Sequence, residues 1–313
     1  MKHSSVIAAG LLVILVGGFA WAADAVPQPA GKAQTLFLSQ SAADPLKDGK
    51  APQGSEAPAA GQAPAKSEEG GSTEAMAKAA QNPIANMISV PFQNQMNFGA
   101  GKYDKMQNIL NIQPVIPISL SEDWNLITRT IMPFVWQPEL APHVGPEAGL
   151  GDVQLSLFLS PAKSQGLTWG VGPVFQFPSD TDALLGAGKF TAGPSFVGLV
   201  IDGPWLYGAL VQNVWSYAGH SNRGRVNQFM IQPFVNYNFK GGFYLTSSPV
   251  ITADWTADSD NRWTVPVGGG AGQIFKIGKM PVNVQVAGYY NVVTPDNGPE
   301  WQLRLQVQFL FPK

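Results

Sequence analysis

Cysteine is absent from all 313 residues. That excludes a disulfide framework, a thiolate zinc site and a lipoprotein anchor, each of which needs the thiol. Charge is scarce too. Asp, Glu, Lys and Arg make up 13% of the chain, and 19 basic against 21 acidic residues leave a net −2. Such a chain carries no electrostatic footprint for nucleic acid. Beyond the first 22 residues no apolar run approaches the roughly 20 residues that a spanning helix requires, so a helical membrane protein is excluded. Histidine is rare as well: after His3 only His143 and His220 remain.

The opening stretch, MKHSSVIAAGLLVILVGGFAWAADAV, has the form of a secretory signal. Lys2 supplies the positive start, Val6 to Phe19 the apolar core, and Ala20-Trp21-Ala22 the small-x-small cleavage pattern. Residues 23–85 then read as a low-complexity periplasmic tail, rich in Ala, Pro, Gly, Ser, Glu and Lys, with Phe37 its lone aromatic. Composition of this kind buries too little apolar surface to offset chain ordering, and predicts disorder. Within it, Thr73 is placed to cap a short helix through Gln81, with Asn82-Pro83 as its stop.

From Asn86 onward the texture changes. About twelve runs of 10 to 13 residues have strand character, separated by turn clusters. The last, Glu300–Phe311, shows the pattern most cleanly. Trp301, Leu303, Leu305, Val307, Phe309 and Phe311 share one parity; Gln302, Arg304, Gln306 and Gln308 share the other. Successive strand residues point to opposite faces, so one face is apolar and the other polar. Links between runs alternate long and short, as in outer-membrane barrels with long external loops and short periplasmic turns. The predicted fold is all-β: a closed antiparallel up-and-down transmembrane β-barrel of about twelve strands over residues 86–313. Prolines recur inside the runs, at 91, 114, 133, 173, 194, 233, 249 and 266. Proline removes a ladder donor and is usually kept to edges and bulges, so bends are expected there.

Parity also assigns the interior. Candidate pore-lining residues are Asn111, Gln113, Arg129, Asp152, Gln154, Gln228, Gln232, Asn236, Gln285, Gln302, Arg304 and Gln306. An Arg or Lys facing lipid at the midplane costs about 2–4 kcal/mol, which turns Arg129 and Arg304 inward. The expected lumen is mostly amide and hydroxyl and selects poorly by charge. Twelve strands lie between the filled interior of eight and the open channel of sixteen to eighteen, so the lumen should be narrow.

Catalytic and metal signals are weak. His220-Ser221-Asn222 has the residue types of a lipid hydrolase, but sequence neighbours seldom form a nucleophile–base pair. Gly268–Gly272 lacks the Gly-Lys-Ser/Thr spacing of a phosphate loop and reads as a bend or a tight contact inside a strand. Asp258 and Asp260 read as a solvated loop. No catalytic residue, metal ligand or cofactor is assigned.

Several phrases carry a resemblance: NPIANMISVPFQNQMNFG, GLGDVQLSLFLSPAK, WGVGPVFQFPS, NQFMIQPFVNYNF, YLTSSPVITADW and WQLRLQVQFLFPK. From Asn82 on, the chain resembles a bacterial outer-membrane barrel family often labelled "neuromedin U" or transporter. That group is similar, at a distance, to barrels encoded near meta-pathway phenol-degradation genes. The resemblance implies passage of small compounds, aromatic ones among them, and carries no site residue over. The partners expected are outer-membrane lipid and lipopolysaccharide, the barrel assembly machinery and a small solute of unknown identity, with no nucleic acid. The readings in play are a channel for small neutral or hydrophobic solutes, a closed barrel whose tail meets the cell wall or a periplasmic partner, and an outer-membrane lipid enzyme.

Overall fold

The computed structural model describes residues 73–164 and 166–312. The signal at residues 1–22 and the tail up to residue 72 lie outside the described residues.

Twelve antiparallel strands form one closed sheet. They are β1 (Ile88–Ala100), β2 (Lys105–Ile112 and Val115–Ser119), β3 (Trp124–Gln137), β4 (Glu147–Leu150 and Val153–Pro161), β5 (Leu167–Phe177) and β6 (Lys189–Asp202). The circuit continues through β7 (Trp205–Gly219), β8 (Asn227–Asn238), β9 (Phe243–Ser247 and Ile251–Asp254), β10 (Trp263–Ile277), β11 (Met280–Val293) and β12 (Trp301–Phe311). Each strand pairs with the next. The first and last close the ring, from Ile88 opposite Phe311 to Phe98 opposite Trp301. The glutamine-bearing final strand that reads so clearly in sequence is thus the seam.

Four prolines mark irregularities. Pro114 divides β2, Pro249 divides β9, Pro266 sits at a register shift against β11, and Pro133 of β3 faces the break of β4, where pairing steps from Ile131 opposite Gln154 to Phe134 opposite Leu150. The backbone groups freed at the β2 break find partners: Gln113 N donates to Pro91 O, and Thr130 N to Pro114 O. Pro91, Pro173, Pro194 and Pro233 instead lie within regular pairing, with Pro173 directly opposite Pro194. For these four the structure shows no bulge.

The exterior is dressed for hydrocarbon. Within the twelve strands, only Arg129 and Arg304 are charged and lie away from a strand end, and both face inward. Outward positions carry exposed Val171, Phe196, Val235, Leu245, Val267, Val286 and Leu305 around the middle. Aromatic rings collect at both rims, as they do where hydrocarbon meets headgroups. Trp205 stacks edge-on to Tyr237 at 4.8 Å near the short turns, and Tyr290 lies 5.0 Å from Trp301 near the long loops. A soluble protein would not leave this much contiguous apolar surface bare.

The short helix expected from Thr73 through Gln81 is present: Thr73–Gln81 is helix α1, followed by a turn at Asn82–Ala85, so residues 73–85 are folded and not part of a disordered tail. Glu74 in its first turn and Lys78 in its last suit the helix dipole. A helix this short is marginal alone. Its stability comes from the barrel, because Met76 and Ala77 are buried against Ile274 of β10 and Leu310 of β12. Gln81 and Asn238 exchange reciprocal amide hydrogen bonds of 2.8 and 3.2 Å, and Lys78 Nζ donates to Gly203 O at 2.7 Å. Composition carries no sign of this seat, because a partner surface, not intrinsic propensity, orders the segment.

Candidate functional site: the lumen

The inner wall divides into two unlike halves. On one half, Ile84 from the N-terminal segment packs among Val115, Ile127, Phe158, Val197, Leu199, Leu206, Leu210 and Phe234. These come from β2, β3, β4, β6, β7 and β8. The expectation of a lumen that is mostly amide and hydroxyl fails here. Strands β6 and β7 are apolar at both parities, in GPSFVGLVI and LYGALV, so alternation could not reveal a polar face that does not exist.

The other half is an amide lattice. Arg304 Nη2 donates to Gln302 Oε1, Gln302 Nε2 to Asn97 Oδ1, and Asn97 Nδ2 to Gln107 Oε1, at 3.1, 3.1 and 2.9 Å. Gln107 Nε2 then donates to Gln137 Oε1 at 2.5 Å. The relay runs round the inner wall from β12 through β1 and β2 to β3. Nearer the short turns, Asn283 Nδ2 donates to Gln308 Oε1 at 3.1 Å. Chains of this kind satisfy buried polar groups and rigidify the wall that carries them.

Strand β10 explains its glycines. Gly268, Gly270 and Gly272 share the inward parity, and two tyrosines cross the strand in opposite directions. Tyr244 of β9 reaches over it to donate to Asn283 Oδ1 at 2.9 Å and Gln285 Oε1 at 3.2 Å on β11. Tyr289 of β11 reaches back, its hydroxyl accepting from Ser248 N at 3.2 Å on β9. A Cβ at Gly272 would stand 2.3 Å from the Tyr244 ring, so only glycine leaves room for the crossing. Ser248 needs such help because Pro249 interrupts β9 just after it. Arg304 completes the repair: Nη1 donates to Ser248 O at 2.9 Å, while its guanidinium lies 4.7 Å from the Tyr289 ring. A cation so placed over an aromatic face is held by the ring quadrupole.

A cavity of about 130 Å³ opens between the halves, beneath residues 80–83. Of the sequence-predicted residues, Gln113, Arg129, Gln232, Asn236, Gln285, Arg304 and Gln306 line it. Asn111, Asp152, Gln154, Gln228 and Gln302 do not. Asn111 faces Gln93 across the first strand pair, and Gln228 lies opposite Val214 towards the long-loop rim. Gln154 Oε1 accepts from Gln212 Nε2 at 3.2 Å, bridging β4 and β7 across two intervening strands. Gln302 belongs to the amide relay. Parity also held signals for Gln93 and Gln308, which line the cavity and were not among the candidates.

Asp152 sits outside the paired strands at the loop rim, in the break of β4. Its Oδ2 accepts from Ala187 N at 2.6 Å while Oδ1 is buried without a partner. Burial pushes its carboxyl up to about 6, and the neighbouring Asp180 charge pushes the same way. Asp180 in turn pairs with Arg223 Nη2 at 3.5 Å. That guanidinium pins the 178–188 loop by donating to Ala183 O at 2.6 Å and Ala187 O at 3.3 Å, and also to Gly186 O. His220 enters this clamp through its carbonyl, which accepts from Lys189 Nζ at 2.5 Å.

No family model and no curated protein sequence matches the chain. Solved structures do. An outer membrane channel from Pseudomonas putida F1 is 17% identical over 72% of this chain and 94% of its own, with a TM-score of 0.55. The likeness is one of fold. The CymD monoaromatic hydrocarbon channel aligns over 78% of this chain and 93% of its own at 9% identity, TM-score 0.42. Outer membrane phospholipase A from Escherichia coli aligns over 76% and 98% at 15% identity, TM-score 0.40.

Proposed function

We propose that the protein is an outer-membrane channel for small neutral or hydrophobic solutes, aromatic ones among them, and has no catalytic role. The observation that carries this is the two-faced lumen. Leu210 and Phe234, continuous with the apolar cluster, share a cavity of about 130 Å³ with the glutamines and asparagines of the amide wall. A barrel needing only to close itself would fill its interior with side chains, as small barrels do, and leave no such space. Here a solute has apolar area to slide along and amides to exchange hydrogen bonds with. In this reading α1 and the turn after it are a stopper at the short-turn end, held by contacts few enough to break. The sequence resemblance to barrels linked with phenol degradation and the outer-membrane channel fold of Pseudomonas putida F1 point the same way. Insertion would follow the barrel assembly machinery, with lipopolysaccharide facing the outer leaflet.

Swelling of proteoliposomes in a graded series of solutes tests the proposal. Phenol and small alcohols should enter faster than disaccharides, and more so when residues 23–81 are deleted. Entry no faster than into protein-free liposomes, with and without that segment, would remove the channel reading. The second reading, a closed barrel that tethers a periplasmic partner, draws on the stopper itself, and predicts that deletion abolishes partner binding without admitting solute.

A further inference from the structure

Arg129 and Arg304 line the same cavity, and no described carboxylate lines it with them. The inward acids stand elsewhere, Asp152 at the loop-rim break of β4 and Asp254 at the last position of β9. Each guanidinium carries five N–H donors. Among the described residues Arg129 spends one, on Gln113 Oε1 at 2.7 Å, and Arg304 spends three, on Ser248 O, Ser248 Oγ and Gln302 Oε1. Arg304 is 2% exposed, and its Nε is buried with no partner. Two cations are thus held against one small space with donors to spare. Buried charge is normally paired, and leaving it unpaired costs several kcal/mol.

The rest of the cavity wall narrows the choice of anion. Leu210 and Phe234 of β7 and β8 line it with the guanidinia, and Val115 lies beside Arg129 on the neighbouring strand. An inorganic anion would satisfy the arginines and leave that wall facing nothing. A planar carboxylate matches the guanidinium fork bidentately, which a point charge does not require. About 130 Å³ holds a head group and a few carbons, well below the 300–1,000 Å³ of a drug-sized pocket.

We infer that this cavity is a binding site for the carboxylate of a small monocarboxylic acid with an apolar body. Arg129 takes the head group, Arg304 adds its field, and Leu210 and Phe234 take the body. This deepens the channel reading and rests on it for its meaning, since it names the solute class that pauses in the lumen. It also replaces the expectation that the lumen is indifferent to charge.

The test uses the mature full-length protein in detergent, with benzoate, benzyl alcohol and inorganic phosphate as probes in titration calorimetry. Benzoate should bind at least tenfold more tightly than benzyl alcohol. Phosphate should fail to displace it. Arg129→Gln, with barrel folding checked by heat-dependent gel migration, should abolish the preference. The preference should also vanish in the unmodified protein below about pH 4, where a carboxylic acid is protonated, so a variant that does not fold leaves the test standing. Equal affinity for acid and alcohol, displacement by phosphate, or a preference that survives Arg129→Gln overturns the proposal. Binding is read without transport. Carboxylate selectivity in a protein that admits no solute would sink the channel reading and keep the site; solute entry with no selectivity would do the reverse.

Discussion

Docking of α1 is the feature most open to a quantitative test. Met76 is 6% exposed and Ala77 fully buried, both against Ile274 and Leu310. Truncating a buried methionine to alanine costs about 2 kcal/mol at the low end of core values, and this cluster is small and peripheral. At about 1.4 kcal/mol per tenfold, Met76→Ala should raise the undocked population roughly 30-fold. The chain has no cysteine, so a single introduced thiol reports cleanly. In an Ala77→Cys protein the thiol is shielded while α1 is docked, and a maleimide reacts only when the helix leaves. Glu74→Cys, at an exposed position, gives the unshielded rate. The labelling rate at position 77 should lie far below that at 74, and should rise about 30-fold when Met76→Ala is added. Equal rates at 74 and 77, or no response to Met76→Ala, would refute the docked-stopper account.

Other predictions concern the wall and the loop rim. Tyr244→Phe removes the hydroxyl that bonds Asn283 and Gln285, and should cost about 1–2 kcal/mol in urea unfolding followed by gel mobility. Gly272→Val should cost more, since its Cβ would strike the Tyr244 ring and dislodge both bonds. At Asp152 the carboxyl is raised from 3.8 to about 6 in the folded state. The folded protein therefore holds its proton more tightly than the unfolded chain does. That contribution is fully present below pH about 4 and is lost as pH rises through about 6. Asp152→Asn should flatten the stability profile across that window and raise stability at pH 7. Arg223→Ala should free the 178–188 loop, read as faster protease cleavage there with the barrel band unchanged.

Much of the barrel was written in residue alternation, and the reasons it could be read are physical. A strand in hydrocarbon must show apolar side chains outward at every second position, so β12 declared both faces and β8 did likewise. Leu167–Phe177 has the same limits in sequence and structure because Pro161 and Gly166 bound it on one side and Pro178 on the other. Parity placed Arg129 and Arg304 inside for the same energetic reason. What stayed hidden depends on contacts between distant residues. Nothing local to Gly272 announces that Tyr244 will cross it. The apolar half of the lumen escaped because β6 and β7 are greasy on both faces, which reads equally well as burial in lipid. Helix α1 was legible as a capped segment, yet its seat on Ile274 and Leu310 was not. A nine-residue stretch carries no record of the surface that orders it.

Single-channel recording in planar bilayers, comparing the mature chain with one lacking residues 23–81, bears most directly on the barrel as a stoppered passage through a membrane. The intact protein should insert and show small or infrequent openings, and the shortened one larger and sustained conductance. Silence from both, in protein shown to be folded and inserted, would contradict it.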